Sequence, residues 1–188
     1  MKKAICKLLL FNLWGWKLKK TYPKGVRQSV VVVFPHTSNW DFPIGILLRP
    51  IMNEDIGFVG KSSLFKFPLG GIIRWLGGYA VDRSKHNNFV DAVAHIFTTE
   101  PDFKICITPE GTRKKVDKLK TGFYHIAMEA KVPLVLGKFD WGNKEISFSD
   151  PFYPTGDYAA DMKQIAQFYK GVKGKFPKCD FDWDSLDA

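Results

Sequence analysis

The chain has 188 residues, enough for one domain with a substantial hydrophobic core. Hydrophobic residues make up 45% of the sequence and charged residues 25%, which is typical of a globular protein and argues against a disordered chain. Lysine and arginine number 28 against 19 for aspartate and glutamate, so the formal net charge is +9. This excess favours an anionic partner: a nucleic acid, an anionic membrane surface or a phosphorylated substrate. The three widely spaced cysteines predict neither a disulfide framework nor a zinc site.

Residues 1–20 form the first predicted element, an amphiphilic helix. Lysines lie at both ends of an apolar stretch that Lys7 and Asn12 interrupt, so the stretch is shorter than the roughly 20 residues of a membrane span. A signal peptide would continue with small residues, whereas Trp14 and Trp16 follow here. The pattern predicts a helix in the membrane interface, with leucines and tryptophans among the headgroups and lysines on anionic lipid. The alternative is a first helix packed on the domain, with its lysines in solvent.

After this segment, strand-like runs alternate with stretches of helical periodicity. The predicted strands are Val30–Phe34, Ile56–Gly60, Tyr79–Asp82, Phe103–Thr108, Pro133–Phe139 and Glu145–Phe148. The predicted helices are Ile44–Met52, Leu64–Leu76, Phe89–Thr99, Leu119–Ala130 and Tyr158–Val172. This alternation predicts an α/β fold: a single domain over residues 21–188, with a central, mostly parallel mixed sheet of about six or seven strands covered by helices. We expect the acidic carboxyl-terminal residues CDFDWDSLDA either to fray or to fold back on the basic surface.

Residues that could act as catalytic groups or bind an anion follow four consecutive predicted strands. The first strand leads into HTSNWD, which contains His36 and Asp41, and the fourth leads into PEGTR. Lys61 follows the second strand and Arg83 follows the third. Ligands of such sheets gather beyond the carboxyl ends of the strands, so we expect these side chains at one rim. The arrangement predicts a base beside an anion-binding site.

His36 and Asp41 have the chemistry of a general base and its orienting partner. An imidazole takes up a proton near neutral pH, and a carboxylate on its other nitrogen fixes the tautomer. The sequence has no GxSxG elbow, so we expect the nucleophile to be a substrate hydroxyl. Arg83 and Arg113 offer forked donors to a phosphate. Taken singly, each motif has a structural alternative, because a histidine before a helix is often a cap and PEGTR could be a plain turn.

Together and in this order, the motifs resemble those of the glycerolipid (1-acylglycerol-3-phosphate) acyltransferase family. The His-x4-Asp motif of that family is HTSNWD here, and its middle block ending in arginine is GGYAVDR. Its Glu-Gly-Thr-Arg motif is PEGTR, and its later Val-Pro block is VPLVLG. The resemblance runs from about Val30 to Phe139. The chain departs from the family at Pro35, Ser63 and Lys114, where asparagine, an acidic residue and serine are common, and these departures leave the acceptor open.

The resemblance implies a role for each site residue. His36 would be the general base, and Asp41 would orient it. Pro133 and its apolar neighbours would help to form the acyl-donor site. The glycerol phosphate of the acceptor would be held by Lys61, Arg83, Glu110, Gly111, Thr112 and Arg113.

The resemblance implies an enzyme that moves a fatty acyl chain from acyl-CoA or acyl-carrier protein to the free hydroxyl of a lysophospholipid, with 1-acylglycerol-3-phosphate as the first choice. It implies no metal and no bound cofactor, and a peripheral location on the cytoplasmic, inner face of the cell membrane. Three alternatives stay open: another acceptor such as a lyso-aminolipid, a lipid hydrolase, or a non-catalytic module that binds anionic lipid. The sequence shows no recognised RNA- or DNA-binding motif, which argues against a nucleic-acid partner.

Overall fold

A seven-stranded sheet runs through the computed structural model, which describes residues 2–81 and 86–183. The strands are β1 (Lys17–Lys20), β2 (Ser29–Phe34), β3 (Ile56–Lys61), β4 (Gly78–Val81), β5 (Lys104–Ile107), β6 (Leu134–Asp140) and β7 (Glu145–Phe148). The helices are α1 (Lys2–Lys7), α2 (Asp41–Met52), α3 (Gly70–Trp75), α4 (His86–Thr99), α5 (Gly122–Ala130) and α6 (Tyr158–Tyr169), and a π-helical segment (Leu8–Leu13) continues α1. The predicted α/β fold class is confirmed.

The strands lie in the order β1-β7-β6-β2-β5-β3-β4. Every neighbouring pair is parallel except β6 and β7, which form an antiparallel hairpin. The sheet is therefore mixed but mostly parallel, as the sequence predicts. Strand β2 lies at the centre of the sheet, and all of its residues are buried. Because both of its faces are covered, its sequence is a continuous apolar run and does not alternate between apolar and polar residues.

Alternate residues of β2 point into two separate hydrophobic cores. Val30, Val32 and Phe34 face the core that α4, α5 and α6 cover. Val31 and Val33 face the core that the amino-terminal segment and α2 cover. Because both faces of β2 are packed, the residues that follow the strand begin from a fixed backbone position.

The amino-terminal segment corrects the prediction of a helix over residues 1–20. The helical part ends at Leu13, and Lys17–Lys20 forms β1, which pairs with β7 in the same sheet as the other strands. Gly15 has a φ of +72°, a left-handed conformation that ends the helical path. The backbone N–H of Lys17 then donates to the carbonyl of Lys144 at 2.8 Å and starts the strand pairing.

The helical part of this segment has a packed side and an exposed side. Leu10 is fully buried in the core beneath α2. Ile5, Leu8 and Leu13 are 52%, 54% and 68% exposed. Among residues 2–81 and 86–183, none of the helices has the length and apolar content that crossing a bilayer requires.

Two predicted elements have different bounds in the structure. Helix α3 covers only part of the predicted Leu64–Leu76, because Pro68 lacks an N–H and interrupts a continuous helix. Of the acidic carboxyl-terminal segment, Phe181 and Trp183 pack against Phe34, so this part folds into the hydrophobic core and not onto the basic surface.

Leu10→Ala should lower the free energy of unfolding by about 2–5 kcal/mol, because it leaves a cavity in the core beneath α2. Leu13→Ala, on the exposed side of the same segment, is the matched control and should change it by less than about 0.5 kcal/mol. Urea unfolding followed by circular dichroism measures both variants. Equal, small effects would contradict the packing of this segment on the domain.

Candidate active site

The backbone after β2 places His36 beside the loop after β5. Val32 of β2 pairs with Ile107 of β5 in a parallel register. β5 ends at this pair, whereas β2 continues to Phe34 beside β6. In the loops that follow the two strands, the backbone N–H of His36 donates to Oε1 of Glu110 at 2.7 Å. The parallel register therefore brings two motifs together that are 74 residues apart in sequence.

Asp41 is the first residue of α2, and its carboxylate points back to the imidazole. Its Oδ2 lies 3.1 Å from Nδ1 of His36 and accepts a hydrogen bond from the backbone N–H of Ser38 at 3.0 Å. Its Oδ1 accepts a hydrogen bond from Nε1 of Trp141 at 2.7 Å. The positive end of α2 also favours a negative charge here. The Asp41 side chain is 3% exposed and that of His36 is 19% exposed, so the carboxylate is buried while the imidazole reaches the cavity surface.

The turn between these two residues explains how a spacing of five brings them together. The hydroxyl of Ser38 accepts a hydrogen bond from the backbone N–H of Trp40 at 3.2 Å, which tightens the chain just before α2. The hydroxyl of Thr37 accepts one from the backbone N–H of Phe176 at 3.2 Å, which ties the turn to the carboxyl-terminal segment. The small polar residues of HTSNWD thus hold the turn that points Asp41 at His36.

Glu110 lies beneath His36 and outside the cavity lining. Its side chain is 3% exposed, and its Oε2 has no hydrogen-bond partner among residues 2–81 and 86–183. Burial raises the pKa of Glu110 to about 7, although the N–H of His36 opposes this shift. The structure therefore gives Glu110 a contact with the backbone of His36, where the resemblance implies a contact with the acceptor phosphate.

A cavity of about 1620 Å³ opens beside His36 and extends from α2 to α5. The PEGTR loop and the residues before α5 contribute basic and hydroxyl side chains to its lining: Thr112, Arg113, Lys114 and Lys120. Gly111 has a φ of +62°, and a Cβ placed on it would lie 2.7 Å from Nζ of Lys120. The lysine ammonium therefore packs closely over the backbone of this loop. These groups form a cationic wall in the cavity.

One further predicted residue, Lys61, belongs to the carboxyl end of a neighbouring strand. Lys61 is the last residue of β3 and pairs with Val81 of β4, so its backbone lies at the same rim as the loops after β2 and β5. The prediction for Arg83 falls outside the described residues. Among the residues that are described, no group of three His, Cys, Asp or Glu side chains could hold a metal ion.

The structure does not bring Pro133 to this site. Pro133 is buried just before β6, and its carbonyl accepts a hydrogen bond from the N–H of Val30 at 3.0 Å. Val30 lies near the amino end of β2, whereas His36 follows its carboxyl end. Because β2 and β6 are parallel, the Val-Pro block enters the sheet at the amino end of β2, away from His36. The acyl-donor role that the resemblance implies for Pro133 thus has no support from its position.

Sequence reasoning missed two residues of the site, Trp141 and Lys120. Trp141 follows β6, and its ring packs edge-to-face on Trp16 with the centroids 4.9 Å apart. The ammonium of Lys175 lies 4.8 Å from the same ring. Trp141 and Asp41 are 100 residues apart, so no local spacing could reveal their hydrogen bond. Lys120 could have been noted as a basic residue just before a predicted helix, but nothing in the sequence ties it to the PEGTR loop.

Glu110→Gln should remove the part of the pH dependence of the free energy of unfolding that comes from the Glu110 carboxyl group. Because the pKa of Glu110 is raised from 4.5 to about 7, the folded state keeps a proton in this range that the unfolded state loses. Relative to the variant, the wild-type free energy of unfolding should fall by about 3 kcal/mol as the pH rises through this range. Below pH 4.5, Glu110 is protonated in both the folded and the unfolded state, so the wild-type free energy of unfolding is not lowered by this group. Urea unfolding at a series of pH values tests this, and parallel pH profiles would contradict it.

Comparison with known proteins identifies the family of this chain. The family described as Acyltransferase matches residues 17–135. The 1-acyl-sn-glycerol-3-phosphate acyltransferase of Haemophilus influenzae is 26% identical over 181 residues, which cover 85% of this chain and 73% of that protein. The enzyme of the same name from Escherichia coli is 29% identical over 136 residues, which cover 67% of this chain and 54% of that protein.

A solved structure shows the same fold. The crystal structure of the 1-acyl-sn-glycerophosphate acyltransferase from Thermotoga maritima matches with a TM-score of 0.57 at 20% identity, covering 84% of this chain and 69% of that one. The family match spans more than half of the chain and contains His36, Asp41 and the PEGTR loop. The chain therefore belongs to the acyltransferase family and is an acyltransferase.

Proposed function

We propose that this enzyme transfers a fatty acyl chain from acyl-CoA or acyl-carrier protein to the free hydroxyl of 1-acylglycerol-3-phosphate, which gives phosphatidate. The observation that carries the proposal is the buried Asp41 on Nδ1 of His36, at the wall of a cavity with cationic side chains. The relatives named 1-acyl-sn-glycerol-3-phosphate acyltransferases support this acceptor.

The hydrogen bonds of Asp41 decide which nitrogen of His36 acts as the base. An ionised carboxylate only accepts hydrogen bonds, and the N–H groups of Ser38 and Trp141 already point at it. Nδ1 of His36 therefore carries the proton that it shares with Asp41, and Nε2 keeps its lone pair. This is the tautomer that a general base needs on the cavity side.

In the proposed reaction, Nε2 of His36 takes the proton of the acceptor hydroxyl while its oxygen attacks the thioester carbonyl. The tetrahedral intermediate collapses as the carbon–sulfur bond breaks and the new ester remains. The imidazolium then returns the proton to the leaving thiolate, and Asp41 stabilises the positive charge in between. Substrates and His36 account for every proton and bond, so the proposal includes no metal and no bound cofactor.

The cationic wall explains why the acceptor is proposed to carry a phosphate. Arg113, Lys114 and Lys120 line the same cavity as His36. An arginine can bind two phosphate oxygens through parallel N–H donors, and lysines add point charges. A phosphate held on this wall would keep the glycerol part of the acceptor near the imidazole. In this arrangement Glu110 supports His36 from below and does not meet the phosphate.

We also propose a peripheral position on the inner, cytoplasmic face of the cell membrane. The acceptor is an amphiphile that resides in membranes, and the amino-terminal segment presents Ile5, Leu8 and Leu13 to the outside. Lysines lie beside them on α1, and the net charge of +9 favours anionic lipid. Because β1 belongs to the sheet, this contact is better tested by substituting these exposed side chains than by deleting residues 1–20.

His36→Ala should lower the transfer rate by about 10²–10⁴-fold, because it removes the general base. The assay combines purified protein, acyl-CoA or acyl-carrier protein, and acceptors with and without a phosphate, and identifies products by mass spectrometry. His95→Ala, a change to an exposed histidine on α4, is the matched control and should keep full activity. Undiminished transfer by folded His36→Ala protein would falsify the mechanism. Free fatty acid without transfer would identify a hydrolase.

Trp141→Phe should lower kcat by about tenfold to a hundredfold with little change in KM, because hydrogen bonds to charged groups contribute roughly 1.5–3 kcal/mol. Phenylalanine keeps an aromatic ring but cannot donate to Asp41. Trp183→Phe is the matched control, since its Nε1 has no hydrogen-bond partner among the described residues. If Trp141 acts through Asp41, Trp141→Phe should cause little further loss of kcat in a protein that already carries Asp41→Asn. Equal losses in both backgrounds would show a general packing effect instead.

A further inference from the structure

The surface around α3 carries large apolar side chains that the proposed chemistry does not use. We define the α3 surface by four residues on this helix and on the loop before it. Phe67 and Trp75 are 99% and 78% exposed, and Leu69 and Ile72 are each 57% exposed. Scattered apolar residues are normal on a protein surface, but four within nine consecutive positions form a patch that calls for a partner.

We propose that the α3 surface docks on an anionic lipid bilayer and places the mouth of the cavity at the membrane. This inference rests on the proposed function in one respect, since it assumes that the acceptor comes from the membrane. The α3 surface would be a second membrane contact, separate from the one proposed for the amino-terminal segment.

The charges around the α3 surface favour anionic lipid over another protein chain. Between Asp55 and Asp82 the sequence contains no acidic residue and three basic ones, Lys61, Lys66 and Arg74. Lys66 and Arg74 are exposed, and the guanidinium of Arg74 lies 5.6 Å from the ring centroid of Phe65. A basic patch attracts anionic headgroups but repels a second copy of itself.

The residue types on the α3 surface are those that enter the headgroup region of a bilayer. Tryptophan is enriched at membrane interfaces, and phenylalanine, leucine and isoleucine bury apolar area at the boundary with the acyl chains. Lysine and arginine beside them match the pattern of an interfacial element. Helix α3 is too short to span a bilayer, so it would lie at the surface.

The opposite side of α3 belongs to the cavity. Ile73 and Leu76 line it, together with Phe58 of β3 and His36. One short helix thus separates the apolar surface from the space in which the acyl chain is proposed to react. Docking at this helix would let the acceptor leave the bilayer along an apolar wall, without exposing its acyl chain to water.

The α3 surface can be tested separately from the amino-terminal segment. Helix α1 packs against α2, and the side chain of Arg49 on α2 donates to the carbonyl of Leu76 just after α3. Helix α2 therefore connects the two exposed apolar regions. They are about fifty residues apart in sequence, so each can be substituted while the other stays intact.

The test measures binding to vesicles of phosphatidylcholine with phosphatidylglycerol and to vesicles of phosphatidylcholine alone. A Phe67→Ser/Trp75→Ser double variant should bind the mixed vesicles at least about tenfold more weakly than the wild type. Phe67→Ser alone should show part of this loss, and its 99% exposure makes damage to the fold a poor explanation. Tyr153→Ser, which removes a 65% exposed aromatic ring elsewhere, is the matched control and should bind like the wild type.

A second pair of substitutions tests the charges. Lys66→Gln/Arg74→Gln should weaken binding to the mixed vesicles by about fivefold per charge. The same variant should bind vesicles of phosphatidylcholine alone as the wild type does. Wild-type binding of the mixed vesicles by this variant and by Phe67→Ser/Trp75→Ser would overturn the proposal.

Activity measurements separate this proposal from the proposed function. Phe67→Ser/Trp75→Ser should keep wild-type transfer to an acceptor in detergent micelles and lose transfer to an acceptor in vesicles. A wild type without transfer in either form refutes the proposed function, while the vesicle-binding results still decide the docking surface. If the double variant keeps vesicle binding but loses a self-association shown by the wild type in analytical ultracentrifugation, the α3 surface is a contact between copies and the proposal is wrong.

Discussion

The buried carboxylate of Asp41 is the group on which the rest of the site depends. Removing an ionised carboxylate from water is costly unless donors replace the lost hydration. Three donors do so here: Nδ1 of His36, the backbone N–H of Ser38 and Nε1 of Trp141. These contacts connect Asp41 to the turn before α2, to the imidazole ring and to Trp141, the residue after β6. The proposed catalytic geometry is thus maintained by the same contacts that offset the cost of burying Asp41.

The sheet supplies the rigid frame for this arrangement. Side chains from both faces of β2 are packed in hydrophobic cores, and the parallel register with β5 sets Glu110 beneath His36. Trp141 links this frame to the amino-terminal segment, because Trp16 packs on its ring. The segment that we propose to touch the membrane therefore also contacts the residue that holds Asp41. The proposed membrane contact and the position of Trp141 therefore both depend on the amino-terminal segment.

Local patterns in the sequence were enough to predict the parts of the structure that depend on neighbouring residues. The apolar run before His36 predicts a buried strand, and the small polar residues after it predict a turn that returns Asp41 to the imidazole. Contacts between distant segments left no such pattern, as the hydrogen bond from Trp141 shows. Strand β1 was missed because it is an edge strand of mostly exposed lysines, whose pairing with β7 depends on tertiary structure and not on hydrophobic periodicity.

The central claim is that Asp41 holds His36 with the proton on Nδ1 and the lone pair on Nε2. The most direct measurement is a ¹H–¹⁵N correlation spectrum of the protein labelled in its four histidines, at a pH where the imidazoles are neutral. The His36→Ala spectrum identifies the His36 signals by their loss. The account predicts a protonated Nδ1 and an unprotonated Nε2 for His36. A proton on Nε2 would contradict it, because that nitrogen could not then accept the proton of an acceptor hydroxyl.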